Sequence, residues 1–452
     1  MTQHANSSFC IPAIRSFIPE RLKPWIVIAF VLVIQFSGGI YLSSVSETVG
    51  TTALMQEDIL MAGYASLIGM ALNFVVMFRL KCAVPPKTTF FICGIVIIAA
   101  NLVCMYTRSV PLLVTVCFVA GFFRMWATFE CNSTIQLWLT PVRDMSVFFS
   151  YVYLVVNGVI QLSGVMNVYL FTWAEWQYMQ WAIIVLILLL LLAVSLVYRN
   201  YSTMPKIPLL GIDWLGMLMW GGSALCLLFI FVYGEHYDWF ESEHIWRAAI
   251  AGSVLLALTI WRSTFIRHPF IFVSTFRYPI IGLSVSILLI ADILLAPGHI
   301  FEHILMENIL RYDAINLVSL NWIALLGVVA GACFTWQTFA VRKWTYQTML
   351  FIAFSCYTLY LAYFYFLIDY NLPKEMLMFP IFLRSAGYVV MAISLLTSLT
   401  RLPFPFHFFQ GITIQNMFSA ALGAAIGNAI VGHVLNVVMK KTVCCLKPTL
   451  TI

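Results

Sequence analysis

Four charged residues stand inside long apolar stretches of this chain: Arg124, Glu130, Asp292 and Arg384. A charge at bilayer depth is costly, so each of them is a functional candidate before it is anything else. A carboxylate in such a place can carry a proton, and its protonation can be tied to which side of a protein is open. Asp292 is the first candidate for proton coupling and Glu130 the second, with Arg124 and Arg384 as intramembrane charge partners. The plainer reading is a structural ion pair between helices, Glu130 with an arginine of a neighbour. Arg124 and Glu130 lie about 120° apart around a 3.6-residue helix, so they do not pair simply with each other.

Two polar faces accompany these charges. Trp126, Glu130 and Thr134 recur every four residues and share one helix face; Asn157, Gln161 and Gly164 line a face of the next block in a similar way. A carboxylate, an aromatic ring and amides together suit an amphipathic cation, the ring taking its body and the carboxylate its charge. The competing use is hydrogen bonding between helices, worth about 0.6 kcal/mol per contact. His299, His303 and Glu307 form a third row. That row could face a metal or act as a pH-responsive outer gate, but near the outer mouth its spacing favours a solvated polar face. Gly423 and Gly427, extended by Ala420 and Ala424, let two helices approach closely.

Other chemistries find no support. The chain has no Gly-rich phosphate loop, and its 11 cysteines form no CxxC pair or metal-type spacing. No metal or cofactor is therefore expected, and the cysteines read as small apolar fillers. No His/Asp/Ser constellation suggests an enzyme. The net charge of +6 falls in short loops, so a nucleic-acid partner is not expected.

The elements that must hold these residues follow from a rhythm. Apolar blocks of about 20 residues, long enough to cross a bilayer as helices, repeat from Trp25 almost to the end. The chain is 62% hydrophobic and 9% charged, with a mean hydropathy of +0.95; a soluble domain carries roughly 25% charged residues. Thirteen spans are predicted, at 24–46, 57–80, 88–107, 110–138, 144–170, 178–198, 212–233, 246–266, 277–310, 314–341, 346–368, 376–400 and 404–437. Pro297-Gly298 should bend the long ninth span.

The spans group into domains. Residues 1–23 form a polar N-terminal segment with no cleavable leader, and 24–198 a six-helix bundle. Residues 199–211, with Pro205 and Pro208, read as a linker. Two central helices occupy 212–266, a second bundle with five helices 267–437, and a tail 438–452. Two like-sized bundles around a central path are the plan of a secondary transporter. Loop cations such as Arg79, Lys81, Lys87, Arg199, Arg267, Arg342, Lys343 and Arg401 fall on one side, which orients the N-terminus to the cytoplasm. The tail breaks the pattern: Lys440, Lys441 and Lys447 would lie outside, so either the last block is not a simple crossing or, the favoured reading, a fourteenth span is missing from the chain.

Particular motifs carry a family resemblance. The stretch GIDWLGMLMW…FVYGEHYDWFESEHIW…RHPFIFVSTFR, from Gly211 to Arg277, resembles the two extra central helices of the fourteen-helix drug:proton antiporters of the major facilitator superfamily, the EmrB/QacA type. The matching residues are Asp213, Gly216, Gly234, Asp238-Trp239-Phe240, Ser242 and Pro269. The segment QNMFSAALGAAIGNAI, from Gln415 to Ile430, is similar to the family's Gly-rich penultimate helix. The resemblance implies an all-α polytopic membrane protein with the major-facilitator fold, in the inner (plasma) membrane. It further implies proton-coupled export of amphipathic or toxic small molecules by alternating access, with a periplasmic adaptor and an outer-membrane channel as conceivable partners. Three departures stand against it. Phe36-Ser37-Gly38-Gly39 replaces the acidic motif of the first helix. Phe78 to Lys87 keeps the cations of the loop between the second and third helices but loses its acid and glycines. Leu162-Ser163-Gly164 reduces the antiporter motif of the fifth helix. The first two departures and the missing last helix favour the alternative, a non-transporting scaffold or sensor of the same fold, whereas the retained charges Glu130 and Asp292 favour transport.

Overall fold

The computed structural model describes residues 13–38, 49, 54–140, 144–173, 176–201, 207–303, 306, 314–367 and 373–446. Among them the regular elements are all helical, and an isolated bridge joins Ile14 to Tyr198. The first set comprises α1 (Lys23–Phe36), α2 (Gln56–Ala83), α3 (Pro86–Tyr106), α4 (Val110–Leu139), α5 (Met145–Trp173) and α6 (Trp176–Val197). The central pair is α7 (Trp214–Tyr233) and α8 (Glu243–Phe265). The last set is α9 (Pro279–His303), α10 (Ala314–Thr335), α11 (Tyr346–Leu367), α12 (Lys374–Ser398), α13 (Pro405–Asn416) and α14 (Ala424–Leu446). A π-helical turn, Trp336–Val341, ends α10, and another, Met417–Gly423, joins α13 to α14.

Among the described residues, twelve helical spans are long and apolar enough to cross a membrane; α13, its π turn and α14 make up one of them. They correspond one for one to the predicted second to thirteenth spans. The predicted first span is present as the shorter apolar helix α1, and its continuation toward 46 falls outside the described residues beyond Gly38. The backbone of α9 continues as helix through Pro297-Gly298, the site of the predicted bend, to His303.

Local sequence sets the helix ends. Proline occupies the first turn of α1, α3, α4 and α13, where its missing N–H costs nothing. The Asp213 side chain accepts from Gly216 N at 2.9 Å and caps α7. Ser242 caps α8 by accepting from His244 N at 3.3 Å. Glu57 and Asp58 sit in the first turn of α2, where the helix dipole favours negative charge.

Glycine seams hold the helices together. A Cβ at Gly69 would strike the backbone of Phe118, and one at Gly121 the backbone of Ser66, so α2 and α4 meet almost backbone to backbone. Gly327 and Gly331 do the same for α10 against Phe382 and Ala386 of α12. Gly423 and Gly427 seat the last span on Asp292 and Ala296 of α9. Without a hydrophobic drive between helices in lipid, such close packing is a main source of cohesion. The two sets meet along α5 with α10, and along α2 with α13 and its π turn. Helix α7 rests on α2 and α14, whereas α8 packs mainly on α7. Only 6% of the most apolar stretch of α8 is buried, against 67% for α2, so α8 is a peripheral helix. Its outward face carries Ile250, Val254, Trp261 and Phe265, a surface suited to lipid and not to water.

Candidate transport cavity

A cavity of about 1600 Å³ separates the two sets of helices. Met70 and Phe74 of α2, Thr134 of α4, and Tyr153 and Asn157 of α5 line one wall; Tyr388 and Leu396 of α12 and Phe409 and Asn416 of α13 line the other. Arg79, Gly211, Asp213, and the exposed Arg267 and His268 surround its mouth. The lining is mostly apolar, with a few polar groups, the usual make-up of a small-molecule site. The volume exceeds the ordinary range of roughly 300–1,000 Å³ for such sites, which leaves room for a drug-sized molecule and water.

An ion pair in this wall, shielded from solvent, joins α2 to α4. Lys81 Nζ lies 3.4 Å from Glu130 Oε1, with the side chains 10% and 3% exposed. Lys81 also donates to the Ser133 hydroxyl and lies 5.9 Å from the centre of the Phe129 ring. Glu130 Oε2 has no hydrogen-bond partner among the described residues. A buried pair is held firmly only when its geometry is good and its spare lone pairs are satisfied. Here neither condition is met, so the carboxylate keeps acceptor capacity for a cationic group or a proton. The expected arginine partner of Glu130 is thus corrected to a lysine. Sequence reading counted Lys81 among the loop cations, but α2 continues to Ala83 and carries Lys81 inside. Its position four residues before Pro85 was the available signal, since proline ends a helix and a long side chain in the last turn can lie along it.

Other predicted residues divide between the cavity and the helix packing. Glu130, Thr134 and Asn157 line the cavity, and Trp126 and Gln161 do not. Trp126 is 5% exposed and packs against Phe123, because a four-residue step drifts around the helix and only part of the predicted face reaches the opening. Gln35 is an addition: its Nε2 donates to Thr128 Oγ1 at 2.8 Å on the cavity wall. Asp292 lies behind the lining, against Gly423, and its Oδ2 has no hydrogen-bond partner among the described residues. The Arg384 guanidinium sits 5.9 Å from the centre of the Tyr360 ring, away from the cavity. Arg124 points into the packing of the first set and donates to the Met70 thioether. His299 and His303 lie on α9 without described side chains, and Glu307 falls outside the described residues. No group of His, Cys, Asp or Glu able to hold a metal occurs among the described residues.

At the far end, where α2 begins, polar contacts that sequence reading did not find link α7 and its connector to α2 and α14. Tyr233 of α7 donates to Asp58 of α2 at 2.5 Å. Just beyond α7, Glu235 accepts from Trp239 Nε1 at 2.9 Å and from Asn436 Nδ2 at 3.0 Å, and lies 3.0 Å from His433 Nδ1. Burial pushes the Glu235 carboxyl up, but the Trp239, Asn436 and His433 donors outweigh it and hold the group below its ordinary value. Trp239 adopts a left-handed backbone, φ 55°, which is costly for a bulky residue. Its ring meets His433 edge-on at 5.9 Å. Asn428 of α14 reaches Tyr64 of α2 at 3.4 Å. At the mouth end, Lys343 lies 2.5 Å from Asp144 and ties the loop after α10 to the start of α5. Burial raises the Asp144 carboxyl, yet the Lys343 and Ser146 hydrogen bonds bring it below its ordinary value.

No family model and no curated protein matches this chain. Solved structures do. The chain is similar to the nucleoside transporter NupG, with 13% identity and a TM-score of 0.54 over 90% of this chain and 89% of that one. It is also similar to the human organic anion transporter MFSD10 (TETRAN), with 12% identity and a TM-score of 0.53 over 91% and 93%. The architecture is the major-facilitator fold, all-helical and built from membrane-length helices.

Proposed function

We propose that the chain is a secondary active transporter that exports amphipathic, cationic or toxic small molecules by proton-coupled alternating access. The observation that carries this reading is the cavity itself, bounded by both helix sets, open at one end, and holding the Lys81–Glu130 pair in its wall. Solved transporters of the same fold support it. On this reading the cation-rich mouth faces the cytoplasm, as the positive-inside rule favours, and the state is inward-open. The moving units are the bundles 24–198 and 267–437, with the 212–266 hairpin riding on α2 and α14.

A cationic substrate entering the mouth competes with Lys81 for Glu130, while its apolar body lies against Phe74, Tyr153 and Phe409. Reversal to the outward state requires the Asp58–Tyr233 and Glu235–His433 contacts to part. A proton reaching Glu130 from outside removes the charge that holds the substrate. Asp292, seated on the glycine seam between α9 and the last span, is the second proton carrier, placed to couple its charge state to that joint. The inner-membrane location, and any periplasmic adaptor or outer-membrane channel, rest on the sequence resemblance. Efflux of a panel of cationic dyes from energised cells, with and without a protonophore, tests the reading. Export that is abolished by protonophore and by Glu130→Gln supports it. Unchanged retention of every dye and unchanged toxin resistance on expression favour the scaffold or sensor reading.

A further inference from the structure

We propose that a small cavity in the first helix set, beside Arg124, binds one monovalent inorganic anion of chloride size. The cavity measures about 40 Å³ and lies among α1, α2, α3 and α4. Its lining includes Ser37, Ser66, Asn101, Cys104, Cys117 and Arg124. Arg124 does not line the large cavity, so the site is separate from the proposed transport route.

Arg124 is a buried charge with no counter-charge among the described residues. The guanidinium is always protonated, and Arg124 is only 7% exposed. Among the described residues no carboxylate forms an ion pair with it, its Nε has no hydrogen-bond partner, and the acceptor it does reach, the Met70 thioether, is neutral and weak. The nearest acid along its own helix, Glu130, is paired with Lys81. An isolated buried cation is strongly unfavourable, and a counter-charge is the direct remedy. Helix α1 yields space for the group: a Cβ at Gly38 would overlap the guanidinium, so glycine lets the charge abut the chain.

The lining then selects the ligand. The Ser37 hydroxyl is spent on Ile34 O at 2.6 Å and the Cys104 and Cys117 thiols face each other at 3.9 Å, so the donors that remain beside the guanidinium are the Ser66 hydroxyl and the second N–H of Asn101, beyond the one given to Ile97 O at 2.8 Å. Donors around a fixed positive charge make an anion site. A water molecule's share of liquid volume is about 30 Å³, so 40 Å³ admits one water-sized particle and excludes a phosphate or a carboxylate-bearing metabolite. A bound anion would brace the segment that shapes the transport cavity, because the Arg124 carbonyl accepts from Thr128 Oγ1 at 2.8 Å and Thr128 holds Gln35.

The test uses the purified full chain in detergent, unfolded thermally in sodium chloride, bromide or gluconate at fixed ionic strength. Chloride and bromide should raise Tm saturably over gluconate, by about 2 °C at ten times the half-saturating concentration. Arg124→Gln should abolish that rise. If Arg124→Gln does not fold, Asn101→Leu keeps the cation and the volume, and should weaken half-saturation by about tenfold. Crystals soaked in bromide should show an anomalous peak beside Arg124. No halide-specific rise in the wild type, an equal rise in Arg124→Gln, an unchanged half-saturation in Asn101→Leu, or no peak at Arg124 would each overturn the assignment.

Discussion

Removing Lys81 should damage the protein far more than removing the acid it faces. In Lys81→Met the Glu130 carboxylate, 3% exposed, loses the cation it faces, while its Oε2 already lacks a donor among the described residues. Deleting one partner of a buried pair costs about 3–5 kcal/mol, and the loose 3.4 Å geometry places this case near 3. Glu130→Gln leaves a neutral side chain of the same size. Lys81, the more exposed of the two, stays bonded to Ser133 and near the Phe129 ring, so the loss is about 1 kcal/mol, the value of one hydrogen bond. The double variant leaves no charge stranded and should lose about 1 kcal/mol as well, which gives a coupling of about 3 kcal/mol between the two positions. Unfolding of the detergent-solubilised protein by denaturant, with all four proteins in parallel, measures each value. A double variant as unstable as the sum of the two singles would refute the reasoning, because it would mean that the two charges do not sense each other.

Three further outcomes follow from other parts of the molecule. Asp292→Asn should remove the pH dependence of dye efflux while membrane insertion and expression persist; efflux with an unaltered pH profile takes Asp292 out of the mechanism. The Glu235 carboxyl is held below its ordinary value by its donors, so its contribution to the seal is present above the unfolded carboxylate value and is lost as pH falls through the folded one. A cysteine placed at Asn428 should therefore react faster with an impermeant maleimide in Glu235→Gln than in the parent at neutral pH; equal rates in the two would show that Glu235 does not close this end. Gly121→Val must force α2 from α4 at the Ser66 backbone and should cost about 1–3 kcal/mol, read as a loss of detergent-solubilised, monodisperse protein; normal yield and stability would mean that the seam opens freely.

The spans were legible because a bilayer demands long apolar runs, and nothing else in this chain competes with that signal. Helix ends were legible where proline, Asp213 and Ser242 supply the local chemistry. The polar site was only half legible. Glu130, Thr134 and Asn157 reach the cavity because their helices face it, whereas Trp126 and Gln161 share a nominal face with them and still turn into packing. Periodicity states which residues lie together on one helix, and only the neighbouring helices decide which of them meets water. Lys81 was missed for a related reason, since a cation near a loop and a cation inside a wall differ by one helical turn. The Glu235, His433 and Asn436 cluster joins residues almost two hundred positions apart, and no pattern along the chain announces it.

That cluster has a practical consequence. Two residues from the connector between α7 and α8, Glu235 and Trp239, help to bolt the far end shut, while Phe240 and Trp246 beside them stand 54% and 52% exposed. The bolt therefore has a handle outside the wall. On the proposed transport reading, an antibody fragment or cyclic peptide that grips those two rings would hold that end closed without ever entering the cavity.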